Sequence, residues 1–122
     1  MSDTKKILIV DDEEGIRESL KLILGDDYNL ILTEDGEQAL EVLENSKDIA
    51  LVLMDIKMPK ASGLEILEII SQKYPDLKVI IVTGYKSVET ATEAVRLGAS
   101  GYIVKPFKSN EVLATVRSIL KK

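Results

Sequence analysis

Five short runs of β-branched or leucine-rich residues recur along the chain: Ile7-Leu8-Ile9-Val10, Leu30-Ile31-Leu32, Ile49 to Met54, Val79-Ile80-Ile81-Val82 and Tyr102-Ile103-Val104. Most are continuously apolar, without polar alternation, as strands buried on both faces of a parallel sheet read. Between and after them the apolar residues change to helical spacing. The stripes are Ile16, Leu20, Ile23 and Leu24; Ala39, Leu40 and Leu43; Leu64, Leu67 and Ile70; Val88, Ala91 and Val95; and Val112, Val116, Ile119 and Leu120. Asp35 with Gln38 and Ser62 with Glu65 fit capping boxes, and Ser87 and Ser109 are candidate N-caps. Gly25, Asn45, Tyr74-Pro75 and Gly98 are the matching stop signals.

The pattern predicts a (βα)5 chain, with no linker or low-complexity tract, and we read residues 1–122 as a single domain. Strands alternating with helices imply an α/β fold with a parallel sheet covered on both faces and right-handed crossovers. For five strands the common doubly wound solution is the flavodoxin-like order 2-1-3-4-5.

Composition narrows the chemistry. Sixteen Lys and Arg against 21 Asp and Glu give a net charge of −5, which argues against nucleic acid or an anionic membrane as the main partner. No apolar run reaches membrane-spanning length, and the first residues lead into a strand-like run without a signal-peptide core. The expectation is a cytoplasmic protein. The chain has no cysteine and no histidine. Thiol nucleophiles, disulfides and histidine general bases are therefore excluded, leaving carboxylates, lysine, hydroxyls and a bound metal.

In an open α/β sheet the functional crevice lies outside the carboxyl ends of the strands, at the switch point between strands 1 and 3. Strand 1 ends in Asp11-Asp12, strand 3 in Asp55, strand 4 in Thr83 followed by Gly84, and strand 5 in Lys105 followed by Pro106. The predicted order gathers three aspartates, a hydroxyl and an ammonium into one pocket. Three close carboxylates repel one another unless one takes a proton or a cation sits among them. Hard oxygen ligands favour Mg²⁺, which pairs naturally with phosphate. A carboxylate can itself be the nucleophile, giving an aspartyl phosphate, with Lys105 and Thr83 holding the phosphoryl oxygens.

Four segments at these strand ends also carry a resemblance: Ile9-Val10-Asp11-Asp12; Leu53 to Pro59 with Gly63 following; Val82-Thr83-Gly84; and Gly98 to Phe107. From Lys6 to about Leu120 the chain resembles the receiver domains of two-component response regulators. The resemblance implies that Asp55 accepts the phosphoryl group and that Asp11, Asp12, Asp55 and the backbone carbonyl of Lys57 bind Mg²⁺. It further implies that Thr83 and Lys105 contact the phosphoryl oxygens, that Thr83 and Tyr102 form a switch pair, and that the Lys105-Pro106 peptide is cis. Lys57 and Tyr85 would tune the phosphate lifetime. Having no histidine, the chain would receive the group from a sensor histidine kinase or a histidine phosphotransfer protein. Its output domain or partner would meet the surface of helix 4, strand 5 and helix 5. Receivers of this kind can also dimerise when phosphorylated. No enzymatic action on another substrate is expected beyond the chain's own phosphorylation and dephosphorylation.

Three other readings use the same crevice. A flavin mononucleotide binder needs a Ser/Thr/Gly-rich loop after strand 1, whereas Asp11-Asp12-Glu13-Glu14 would repel phosphate. An aspartyl-phosphate phosphatase would carry a second aspartate two residues after its nucleophile, where this chain has Lys57. A receiver-like interaction module that is never phosphorylated would not need the complete acidic pocket with Thr83 and Lys105.

Overall fold

In the computed structural model, which describes residues 4–121, ten elements follow one another in strict βα alternation. Residues 1–3 and 122, included in the domain expected from sequence, lie outside the described residues. The strands are β1 (Lys6–Val10), β2 (Asn29–Thr33), β3 (Ile49–Met54), β4 (Lys78–Thr83) and β5 (Gly101–Val104). The helices are α1 (Glu14–Leu24), α2 (Gly36–Asn45), α3 (Gly63–Lys73), α4 (Val88–Arg96) and α5 (Ser109–Leu120). All strand pairs are parallel and the order is β2-β1-β3-β4-β5, the arrangement expected from the sequence.

The continuous apolar strands are explained by two cores. Leu8, Val10, Val52, Met54, Val79 and Ile81 point to one face, under Ala39, Leu43, Ile66, Leu67, Ile70 and Ala94 of α2, α3 and α4. Ile7, Ile9, Leu51, Leu53, Ile80, Val82 and Ile103 point to the other, against Leu20 and Leu24 of α1 and Val112 and Val116 of α5. Successive strand residues face opposite ways, so both parities must be apolar.

The local signals are mostly realised as written. Ser62 Oγ accepts from the Leu64 amide at 3.1 Å while Glu65 accepts from the Ser62 amide at 3.1 Å, a reciprocal cap for α3. Ser87 caps α4 by accepting from the Thr90 amide at 3.0 Å. At the other end of α4, Gly98 takes a left-handed φ of 113°, the Gly98 amide bonds the Val95 carbonyl and the Ala99 amide bonds the Ala94 carbonyl. That is the glycine-dependent helix stop of the Schellman type. Three details differ. Asp35 caps α2, yet the Gln38 side chain accepts from the Glu34 amide rather than from that of Asp35. Lys108, not Ser109, is the N-cap of α5, and Asn45 is the last residue of α2 rather than the residue beyond it.

The apolar stripe of α4 stands largely in water: Val88 and Val95 are 80% and 63% exposed and, within the helix, only Ala94 is fully buried. The helix meets the sheet over β5, a four-residue edge strand, so a narrow strip beside the small Ala94 suffices for contact. The periodicity identifies a helix face correctly but does not say which layer that face meets. We expect Val88→Lys with Val95→Lys to leave thermal stability within about 0.5 kcal/mol, as for surface changes, whereas loss of a buried stripe would unfold the helix. Thermal denaturation checks this.

Candidate functional site

The pocket is built from backbone bonds that interlock the strand ends. The Asp11 amide donates to the Thr33 carbonyl of β2 at 3.1 Å, and the Asp55 amide to the Val10 carbonyl of β1 at 3.1 Å. The Lys105 amide donates to the Thr83 carbonyl of β4 at 2.8 Å. Each of these residues therefore continues the ladder one step past its strand and projects its side chain over the carboxyl edge of the sheet. Behind Asp55, the α3 N-terminus closes in: the Gly63 amide donates to the Ile56 carbonyl at 2.7 Å. The Lys105–Pro106 peptide is cis.

Lys105 is the centre of the charge arrangement. Its ammonium lies 2.9 Å from Asp11 Oδ2, 3.0 Å from Asp55 Oδ2 and 3.3 Å from Glu13 Oε1. Asp11 and Asp55 are buried, at 2% and 6% exposure. Burial opposes charge on the lysine, but the hydrogen bonds to Asp11 and Asp55 outweigh it and hold the ammonium well above the ordinary lysine value. Asp11 is shifted the other way. Burial raises its carboxyl above the usual aspartate value, only partly offset by the Glu13 amide and Lys105, and the charge of Asp55 adds to the rise.

The remaining oxygens are held by local amides. Asp55 Oδ1 accepts from the Ile56 amide at 2.7 Å and Asp11 Oδ1 from the Glu13 amide at 2.9 Å. Asp12 is exposed, and no hydrogen bond or ion pair holds its side chain among the described residues. Carboxylate oxygens of Asp11, Asp12 and Asp55 nevertheless lie within 4.8 Å of one another. Three carboxylates face one ammonium there, so the donor set fits a hard divalent cation such as Mg²⁺, which accepts carboxylates and water. Asp12, Glu13, Asp55, Lys57, Thr83, Gly84, Tyr85 and Lys105 line an open cleft of about 420 Å³ around this cluster. A larger cleft of about 700 Å³ lies at the opposite, amino edge of the sheet, between Leu43, Ile49, Tyr74 and Leu77. None of the residues gathered at the strand ends reaches it, and size alone does not locate chemistry.

Thr83 is fully buried at the end of β4, and its hydroxyl accepts from the Tyr85 amide at a long 3.4 Å. Tyr102 is half-buried, and its hydroxyl donates to the Tyr85 carbonyl at 2.8 Å. Burial, and then the charge of Asp55, push the Tyr102 phenol up from its ordinary value. The residues expected from sequence at the pocket are thus brought together: Asp11, Asp12, Asp55, Lys57, Thr83 and Lys105 at the cleft, with Tyr102 joined to it through Tyr85.

Two participants were not singled out from sequence. Glu13, from the acidic run that follows β1, reaches back to Lys105. Arg17 donates from Nη1 to the Asp11 carbonyl at 2.7 Å. A lone cation in the first turns of α1, beside a run of four acids, is the only trace of this in the sequence.

Comparison with known proteins places this arrangement. The family model for the response regulator receiver domain matches residues 7–117. Response regulator MprA of Mycobacterium sp. (strain KMS) is 36% identical over 118 residues, covering 96% of this chain and 51% of MprA. Response regulator protein FleR of Pseudomonas aeruginosa is 38% identical over 113 residues, covering 91% of this chain and 24% of FleR. The chain thus spans about half the length of the one and a quarter of the other. Among solved structures, a CheY-like receiver domain protein from Methanospirillum hungatei JF-1 superposes with a TM-score of 0.91 at 36% identity, covering 98% of this chain and 95% of that one. Response regulator TrrA from Thermotoga maritima, in complex with Mg²⁺ and a beryllium fluoride group, superposes with a TM-score of 0.85 at 37% identity, covering 95% and 99%. By its sequence match, its strand order and the chemistry collected at its strand ends, the chain belongs to the family of response regulator receiver domains.

Proposed function

We propose that the chain is a phosphorylation-activated signalling switch with Asp55 as phosphoacceptor. The observation that carries this reading is the Asp55 carboxylate itself: buried at the end of β3, open to a cleft, and faced at 3.0 Å by the ammonium of Lys105. A carboxylate oxygen of Asp55 attacks phosphorus, the bond from phosphorus to the donor's imidazole nitrogen breaks, and that nitrogen takes up a proton. With no histidine among these 122 residues, the phosphohistidine donor lies outside them, on a kinase or phosphotransfer domain. Asp11, Asp12, Asp55 and the carbonyl of Lys57 would hold Mg²⁺, whose charge offsets that of the carboxylates and of the incoming group. The complex of TrrA with Mg²⁺ and beryllium fluoride supports a cation and an anionic group sharing such a site.

Lys105 and Thr83 bind the transferred group. To do so the lysine turns a donor from Asp55 Oδ2 to the phosphoryl oxygens, and the Thr83 hydroxyl, which only accepts from the Tyr85 amide at a long 3.4 Å, moves toward the group to donate its proton. Tyr85 also holds Tyr102 through its carbonyl, so engagement of Thr83 disturbs both contacts and biases α4 and β5. Val88, Val95 and Tyr85 already stand exposed on that side, which supports the surface of α4, β5 and α5 as the output face. An output domain or protein would bind it, with dimerisation on phosphorylation a second use of the same face. Among the described residues no helix is long and apolar enough to cross a membrane, in keeping with a cytoplasmic role. The chain acts as an enzyme only on itself.

Incubation with acetyl phosphate and Mg²⁺, followed by intact mass, tests the proposal. One added phosphoryl group is expected, absent when Mg²⁺ is chelated and absent in Asp55→Asn. A stoichiometric adduct in Asp55→Asn would refute Asp55 as acceptor. No adduct on the parent protein with either acetyl phosphate or phosphorylated kinases would favour the interaction module.

A further inference from the structure

Asp12 poses a problem that the fold must solve. It is exposed, and among the described residues no hydrogen bond or ion pair steadies its carboxylate, yet its oxygens stand within 4.8 Å of those of Asp11 and Asp55. Its direction must therefore come from the backbone on either side. On the far side, the Glu13 amide is bound by Asp11 Oδ1 at 2.9 Å. On the near side, the peptide joining Asp11 to Asp12 carries the Asp11 carbonyl. That carbonyl lies one residue past the end of β1, beyond the strand's paired residues. Its partner is Arg17 Nη1 at 2.7 Å, a charge-assisted bond from a side chain only 15% exposed. The second arm of the same guanidinium reaches to 3.9 Å from Glu34 Oε2, just after β2.

From this clamp we infer that Arg17 is a positioning residue for divalent-cation binding. By holding the Asp11 carbonyl, it fixes the peptide plane from which Asp12 projects. The inference rests on the acidic pocket being a Mg²⁺ site. It also has a sign that simple electrostatics does not share. Arg17 is a positive charge beside an acidic cluster, so removing it should by Coulomb's law alone tighten cation binding. Loss of positioning weakens it instead.

The test is calorimetric titration of the full chain with Mg²⁺, beside thermal melting in a chelator. Arg17→Met keeps much of the apolar stem and removes the donors. Its Mg²⁺ dissociation constant should rise at least fivefold, with a melting temperature in chelator close to the parent's. Arg17→Lys retains a charged donor and should recover most of the affinity. Should the methionine variant fail to fold, Arg17→Leu, which also lacks donors, serves in its place, with the same weakening expected. Unchanged or tighter binding in Arg17→Met would overturn the inference. So would an Arg17→Lys that binds no better than Arg17→Met, or a loss of affinity matched by an equal loss of stability without the metal. Asp12→Asn separates the two levels. If the parent binds Mg²⁺ and Asp12→Asn weakens it while Arg17→Met does not, only the role of Arg17 falls. If the parent binds no Mg²⁺, the metal-site reading falls and this inference falls with it.

Discussion

Replacing Lys105 by methionine should destabilise the protein strongly at neutral pH, by about 3–5 kcal/mol in the absence of divalent cations, the usual cost of removing one partner from a buried ion pair. The reason is the company Lys105 keeps. Its ammonium is the sole cation within ion-pairing distance of Asp11 and Asp55 among the described residues, and all three side chains are largely shielded from water. Without it, two buried carboxylates face each other, and Asp11 is already raised by burial. One of the pair will keep a proton in the folded state at a pH where the unfolded chain, with a carboxyl pKa of about 3.9, has lost it.

The sign of the pH dependence follows from that. A folded-state pKa raised above the unfolded value means that the native state binds more protons between the two. The variant therefore loses stability as pH rises from about 4 through the raised value, and the gap to the parent protein closes in acid. Mg²⁺ should act in the opposite sense. Lys105 occupies carboxylate oxygens that the cation also needs, so Lys105→Met should bind Mg²⁺ more tightly than the parent and recover part of its stability on titration. Melting curves between pH 4 and 8, with and without Mg²⁺, read all three effects. A variant as stable as the parent at pH 7 without Mg²⁺ would show that the ammonium does not neutralise the pocket.

Gly63→Ala is expected to be the most damaging single methyl group that can be added near the site. Gly63 opens α3 and is buried, and its amide is tied to the Ile56 carbonyl. A β-carbon built there collides with the Asp55 carbonyl oxygen and stands 2.9 Å from Ile56 Cα, both of them backbone atoms without a side-chain rotamer to yield. Either the α3 N-terminus lifts away from β3 or the Asp55–Ile56 segment shifts. Overpacking of this kind costs about 1–3 kcal/mol, and occasionally more. The second consequence is specific to the site. Asp55 Oδ1 is held by the Ile56 amide, so a shift of this segment misdirects the carboxylate itself. Phosphorylation by acetyl phosphate should fall by an order of magnitude or more even at temperatures where the variant is fully folded, since misplacement by about 1 Å costs roughly 10²-fold. Full activity in the folded variant would mean that the helix start is free to adjust.

Much of this was legible in the residues before any coordinates. Strands buried on both faces must be apolar at every position, so β1, β3 and β4 announce themselves as short unbroken runs. The caps at Ser62 and Ser87 rely on hydrogen bonds between residues two or three apart, which sequence spacing expresses directly. Parallel strands with right-handed crossovers leave few possible orders for five units, and the order places the residues after β1, β3, β4 and β5 along one edge. Hence Asp11, Asp12, Asp55, Thr83 and Lys105 could be named as one pocket. The N-cap of α5 was misplaced by one residue because Ser109 has the favoured side chain, whereas the backbone of Lys108 takes the capping position.

What the sequence could not contain were choices made between distant parts of the chain. A stripe at Val88, Ala91 and Val95 has the same period whether it faces a core or a partner. That it faces outward depends on α4 resting over the narrow edge strand β5. Similarly, nothing local to Lys105 says that it bridges Asp11 and Asp55 rather than pointing to solvent. The interlocked amides of Asp11, Asp55 and Lys105, each bound to a carbonyl on another strand, bring these groups within 3 Å. The clamp of Arg17 on the Asp11 carbonyl arises because a carbonyl just past the end of its strand still needs a donor, and the helix packed beside it supplies one. Local periodicity, hydrogen-bond spacing and chain connectivity determined the elements, their order and the residues at the edge. Only long-range packing decided which faces stay in water, and which charges and carbonyls meet.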